Sequence, residues 1–98
     1  MYVKKYEAQK EIIVAVCDKD LIGKVLREGE LVLDLKKYSS FYIGELASEE
    51  EAWSIMKGAT SLNLVGKKAV GLALKKKLAK KGDERTVDGV PHLQIYTL

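Results

Sequence analysis

Apolar positions recur in two different rhythms along this chain. From Tyr2 to Ala8 polar and apolar side chains alternate, an edge-like strand pattern. Glu11–Cys17, EIIVAVC, is β-branched and almost continuously apolar, which predicts a central strand buried on both faces. Ala8-Gln9-Lys10 joins the two as a tight hairpin. Asp20 caps a short turn through Leu21 and Ile22, and Gly23 supplies an unusual backbone angle. Lys24–Leu26 and Glu30–Leu35 read as two strands around Arg27-Glu28-Gly29, the second with Leu31, Leu33 and Leu35 on one side. Tyr38–Gly44 reads as a loop leading into a short aromatic strand.

The rhythm then changes. Ser48-Glu49-Glu50-Glu51 is a capping box: the serine hydroxyl accepts from the Glu51 amide while the Glu51 carboxylate accepts from the Ser48 amide. It opens a helix to about Lys57 with Ala52, Trp53 and Met56 as its buried stripe, and Gly58 ends it. Ser61–Val65 fits either a short strand or a helical lead-in. From Gly66 the apolar positions Ala69, Val70, Leu72, Ala73 and Leu74 form one broad helical face, and lysines fill the rest as far as Gly82, the expected stop. A closing strand follows over Val90–Leu98, its start set by Gly89 and Pro91. The sum is an α+β class, a mainly antiparallel sheet of about five or six strands with two helices packed on one face. Residues 1–98 make one domain, without repeats or a linker.

Composition adds little until its distribution is considered. Apolar residues make up 47% of the chain, enough for a globular core, and the net charge of +3 is too mild to define a nucleic-acid binder. Basic residues gather between Gly66 and Arg85, where seven lysines and one arginine stand against Asp83 and Glu84. Acidic residues gather at Glu45–Glu51. One cysteine, Cys17, leaves no intrachain disulfide to support the fold. Met1–Lys10 lacks the apolar core of a secretory signal and no apolar run approaches a bilayer span, so a cytoplasmic protein without membrane association is expected.

Three constellations offer chemistry. Asn63-Leu64-Val65-Gly66-Lys67-Lys68 places a glycine before a helix, where backbone amides and two lysines can receive an anion; an ordinary helix start with solvated lysines is the competing reading. The basic helix Lys67–Lys81 can track a phosphate backbone, but it has no aromatic residue, and Tyr38, Phe41 and Tyr42 would have to supply stacking from elsewhere. His92 is the one histidine, and with Asp18 or Cys17 it would make a base and nucleophile pair if the fold brought them together; a hydrogen-bonded structural role competes. One Cys and one His do not make a zinc site, so neither a metal nor a cofactor is expected.

Four words in order, Asp20-Leu21-Ile22-Gly23-Lys24, Arg27-Glu28-Gly29, Asn63-Leu64-Val65-Gly66 and Gly89-Val90-Pro91-His92-Leu93-Gln94, resemble the archaeal family of unknown function numbered 424. The resemblance runs from about Val3 to Leu98. It implies a small archaeal cytoplasmic protein and no particular activity, with a lean toward translation and ribonucleoproteins. It also moves attention from the lysine-rich tail to the words themselves. The expectation is therefore a non-catalytic binding protein contacting RNA or a ribosomal component. Lys24 and Arg27 contact phosphate, Asn63 reads a polar group, Gly66 with Lys67 forms an anion pocket, and His92 completes the site. A small enzyme built on His92, or a protein–protein interaction module presenting its acidic or basic helix, are the alternatives.

Overall fold

Glu11–Cys17 forms β2, and from Val14 to Cys17 no side chain is exposed, as expected of a strand covered on both faces. The structure, a computed structural model, describes residues 1–96. β1 (Tyr2–Ala8) pairs antiparallel with β2 through the two-residue turn Gln9-Lys10. Ser61–Val65 is a strand, β6, and it runs parallel to β2. Thr60 locks that pairing at its start: its hydroxyl accepts from the Ile12 amide at 2.9 Å, and its own amide donates to the Ile12 carbonyl at 2.8 Å. β8 (Val90–Tyr96) lies antiparallel on the other side of β6; Thr97 and Leu98, the end of the expected closing strand, fall outside the described residues.

Two short edge strands complete the sheet, β5 (Glu45–Leu46) beside β1 and β7 (Arg85–Val87) beside β8, in the order β5-β1-β2-β6-β8-β7. The sheet is thus six-stranded and mostly antiparallel but mixed, with the parallel pair at its buried centre. β7 corrects the reading of Gly89 as a simple strand start. Asp88 and Gly89, at φ 50° and 77°, make a two-residue hairpin turn of the type that Asp-Gly favours.

α2 (Glu49–Met56) carries the expected capping box, with Glu51 N to Ser48 Oγ at 3.2 Å and Ser48 N to Glu51 Oε1 at 2.9 Å. It packs beside α3 (Lys67–Lys75) on one face of the sheet, where Ala52, Met56, Ala69, Val70 and Ala73 meet Val14, Val16, Leu62 and Leu64. The opposite face is covered by a separate hairpin, β3 (Val25–Glu28) and β4 (Leu31–Asp34), and by a single helical turn, α1 (Ser39–Tyr42). The turn of that hairpin is Gly29-Glu30, so Arg27 and Glu28 belong to a strand rather than to the turn. α1 replaces the expected aromatic strand and is the third helix; it is held by Tyr6, whose hydroxyl donates to the Phe41 carbonyl at 2.8 Å and whose ring stacks on Phe41.

α3 stops well short of the expected Lys81. The Leu78 amide donates to the Ala73 carbonyl at 2.9 Å and the Lys77 amide to the Leu74 carbonyl at 3.1 Å, with Lys77 at φ 60°. This is a Schellman ending with lysine where glycine is usual. Its cause is apolar: Leu78 and Ala79 fold back onto the helix-face core instead of continuing a lysine-rich helix. Among the described residues no helix is long and apolar enough to cross a membrane.

Candidate nucleic-acid interface

The glycine-to-helix entrance is occupied by the chain itself. Asp18, only 7% exposed at the end of β2, accepts from the Lys68 amide at 3.0 Å and the Ala69 amide at 2.9 Å. Its carboxylate thus sits on the positive end of α3. Gly66 is at φ +109°, and a β-carbon there would lie 2.3 Å from Asp18 Cγ. The anion pocket expected at Gly66 and Lys67 is corrected accordingly: the amides that would cradle a phosphate already hold an internal carboxylate. Lys67 and Lys68 line a hollow of about 800 Å³ there together with Lys19, and Asp18, Asp20 and Asp88 match the three lysines in number.

The sheet alternates faces, and this separates the proposed catalytic partners. Cys17 belongs to the hairpin-side core, so Asp18 turns to the α3 side. His92 is opposite Val65, which belongs to the hairpin-side core, so it lies on the face away from the Asp18 carboxylate. Cys17 shares the face of His92 but stands two strands away, roughly 10 Å between backbones. Its thiol is fully buried, hydrogen-bonded to the Asp18 carbonyl at 3.4 Å, and pushed up to about 12 by burial and then by Asp18 and Asp20. It is a core thiol rather than a nucleophile. The pairing of His92 with Asp18 or Cys17 does not form.

His92 instead meets Asn63. Asn63 Oδ1 accepts from the Tyr42 hydroxyl at 2.9 Å and lies 3.2 Å from His92 Nε2. α1 delivers Tyr42, β6 delivers Asn63 and β8 delivers His92, so three elements distant in sequence converge on one oxygen. Burial, with Cys17 beside it, pushes the Tyr42 hydroxyl up to about 12, so it remains a donor. Burial and the neighbouring Arg85 hold the His92 imidazole below its ordinary value, which keeps it neutral near pH 7.

Two clefts open on this cluster, both walled by Val32 and Leu33 of the hairpin. One, about 610 Å³, is aromatic: Tyr38, Phe41 and Tyr42 line it with Lys37 and Asn63. The other, about 390 Å³, is polar: His92, Gln94 and Arg85 line it with Asp83 and Tyr96. Tyr38 is 55% exposed with the Lys37 ammonium 5.4 Å from its ring centre, and Tyr96 is 72% exposed. Leu31 and Val32 add exposed apolar surface at the rim.

Of the residues singled out in the sequence, Asn63 and His92 come together with Tyr42, one of the three aromatic candidates, whereas Lys24, Arg27, Gly66 and Lys67 do not join them. Lys24 sits at the base of the hairpin, where its carbonyl accepts from the Leu35 amide, and lines neither cleft. Arg27 pairs with Val32 across the hairpin, on the side opposite Leu26 and Leu33, which face the core. Gly66 and Lys67 serve the α3 entrance on the other face of the sheet. The sequence offers Arg85 only as the end of the basic run and Gln94 only within its word; the Asp88-Gly89 hairpin signal and the period of β8 place both on the face of His92.

These features define a small mixed α+β protein with a half-buried polar cluster between a sheet and the hairpin that covers it. The family model described as "Protein of unknown function (DUF424)" matches residues 6–98, and the chain belongs to that family. The structure is similar to the crystal structure of an uncharacterized conserved protein from Methanopyrus kandleri, with a TM-score of 0.83, 24% sequence identity, and coverage of 99% of this chain and 90% of that one. At that identity the likeness speaks for the fold. No curated protein matches the chain.

The depressed His92 value has a stability consequence. The folded state prefers the neutral ring, so its contribution is complete above the unfolded value of 6.5 and is lost as pH falls through the lower folded value. Urea unfolding at pH 7.5, 6 and 5 is expected to show a decline of at most about 1.4 kcal/mol per pH unit from this group. His92→Gln is expected to flatten that component; an unchanged profile would show that other groups cause the decline.

Proposed function

We propose that this chain is a non-catalytic binding protein that takes a single-stranded segment of RNA, free or within a ribonucleoprotein, along the two clefts around Asn63 and His92. The observation that carries this reading is the joining of an aromatic lobe to a polar lobe through one cluster. Tyr38 and Tyr96 offer faces on which bases stack, Lys37 and Arg85 offer charge for phosphates, and Asn63, His92 and Gln94 offer hydrogen bonds to base edges. The α3 lysines suit the role less well. Lys75 is paired with Glu49 at 3.0 Å and Lys76 lies 5.2 Å from the centre of the Trp53 ring. His92 bonded to an amide rather than to an acid or thiol also suits recognition better than acid–base chemistry.

Anisotropy titration of a labelled single-stranded RNA tests the reading. Two phosphate contacts predict a loss of about sevenfold in affinity between about 50 and 200 mM salt. Tyr38→Ala is expected to cost about 1–3 kcal/mol of binding, the worth of one stacked base. Arg85→Glu is expected to weaken binding and flatten the salt dependence, while Lys67→Glu leaves affinity unchanged. Absence of salt-sensitive binding, or a loss on Lys67→Glu as large as that on Tyr38→Ala, would contradict the proposal.

A further inference from the structure

The Tyr42–Asn63–His92 network dictates the kind of polar atom that it leaves facing outward. Tyr42 has one hydroxyl proton and gives it to Asn63 Oδ1. That oxygen can only accept, so His92 Nε2 must be the protonated nitrogen of the pair. In a neutral ring the other nitrogen, Nδ1, is then a bare acceptor, and the amide nitrogen of Asn63 keeps two donors. Among the described residues neither atom has a protein partner, yet no buried side-chain nitrogen or oxygen is left unpaired. Both atoms therefore reach solvent, and Asn63 lines the aromatic cleft while His92 lines the polar one. Asp83 adds a carboxylate, a second acceptor, to the polar cleft.

Resting on the RNA-binding reading, we infer that the polar cleft selects a nucleobase whose amino group stands where uracil has its O4 carbonyl, cytosine (N4) or adenine (N6), over uracil, with His92 Nδ1 as the accepting atom. Where cytosine offers its N4 amino donor, uracil presents the O4 carbonyl, and that oxygen would oppose both the Nδ1 lone pair and the Asp83 carboxylate. On the other side of the cluster the Asn63 amide donates to a carbonyl or phosphate oxygen of the neighbouring nucleotide. Arg85, beside His92 in the same cleft, is placed for the connecting phosphate.

Oligocytidine and oligouridine of equal length isolate this contact, since they match in charge and ring size. The full-length protein is expected to bind oligocytidine about tenfold more tightly than oligouridine. His92→Phe is expected to abolish that preference. Long-range proton–nitrogen NMR on the unmodified protein gives a readout independent of any variant: His92 is expected as the Nε2-protonated tautomer. Equal affinity for the two oligomers, a preference that survives His92→Phe, or an Nδ1-protonated ring would each overturn the inference and leave RNA binding standing. Failure of both oligomers to bind would overturn the RNA reading and this inference with it.

Discussion

Gly66→Ala is expected to destabilise the protein by about 3–5 kcal/mol, from strain in a glycine-only backbone region and the loss of charge-assisted hydrogen bonds. Both terms act at one point. Gly66 sits at φ 109° and ψ 160°, and the added methyl would lie 2.3 Å from Asp18 Cγ and 2.5 Å from Asp18 Oδ2. The side chain that must yield is the one holding the Lys68 and Ala69 amides, so the clash cannot be relieved without uncapping α3. Chemical denaturation should show a lower midpoint with an unchanged slope. A loss under about 1 kcal/mol would mean that Asp18 moves aside freely and that the capping contact contributes little.

Asp18→Ala is expected to cost about 3 kcal/mol, because it strands a buried amide as well as removing two charge-assisted bonds. The Ala69 amide is buried and has Asp18 as its acceptor, which makes the loss larger than for an exposed cap. Asp18→Asn keeps one oxygen and is expected to lose roughly half as much. Because Gly66→Ala and Asp18→Ala break the same contact, the double variant should fall well short of the sum. Strict additivity would show that the two residues act on α3 independently. Neither change touches Asn63 or His92, so RNA affinity of the folded fraction should be retained in both.

Much of this architecture was legible because local chemistry determined it. The apolar run Ile12–Cys17, with β-branched Ile12, Ile13, Val14 and Val16, reads as a central strand, and Ser48 with Glu51 reads as a helix start. What was not legible depended on contacts between distant segments. The direction of β6 relative to β2 is set across the long Asp18–Thr60 connection, and no side-chain periodicity reports strand direction. The end of α3 depends on Leu78 finding the core, which outweighs the intrinsic helix preference of the lysines around it. Residues 38 to 44 read as a loop leading into a short aromatic strand, yet Tyr6 on β1 holds Phe41 in a helical turn.

The site divides in the same way. Asn63 and His92 stood out individually, but their meeting follows from β6 and β8 being neighbours and from Tyr42 arriving on α1. The glycine before a basic helix was an equally visible signal with a different meaning. An aspartate 48 positions earlier fills that entrance, and nothing in the local words Asn63–Lys68 announces it. Asp88-Gly89 was visible as well, and following its hairpin would have led to Arg85.

The claim that RNA is recognised at the hairpin-facing clefts is tested most directly by residue-resolved NMR of labelled protein as single-stranded RNA is added. Amide and side-chain signals of Tyr38, Asn63, His92 and Gln94 are expected to shift together and saturate at one RNA concentration. Shifts confined to the exposed lysines of α3, or no shifts at any concentration, would contradict it.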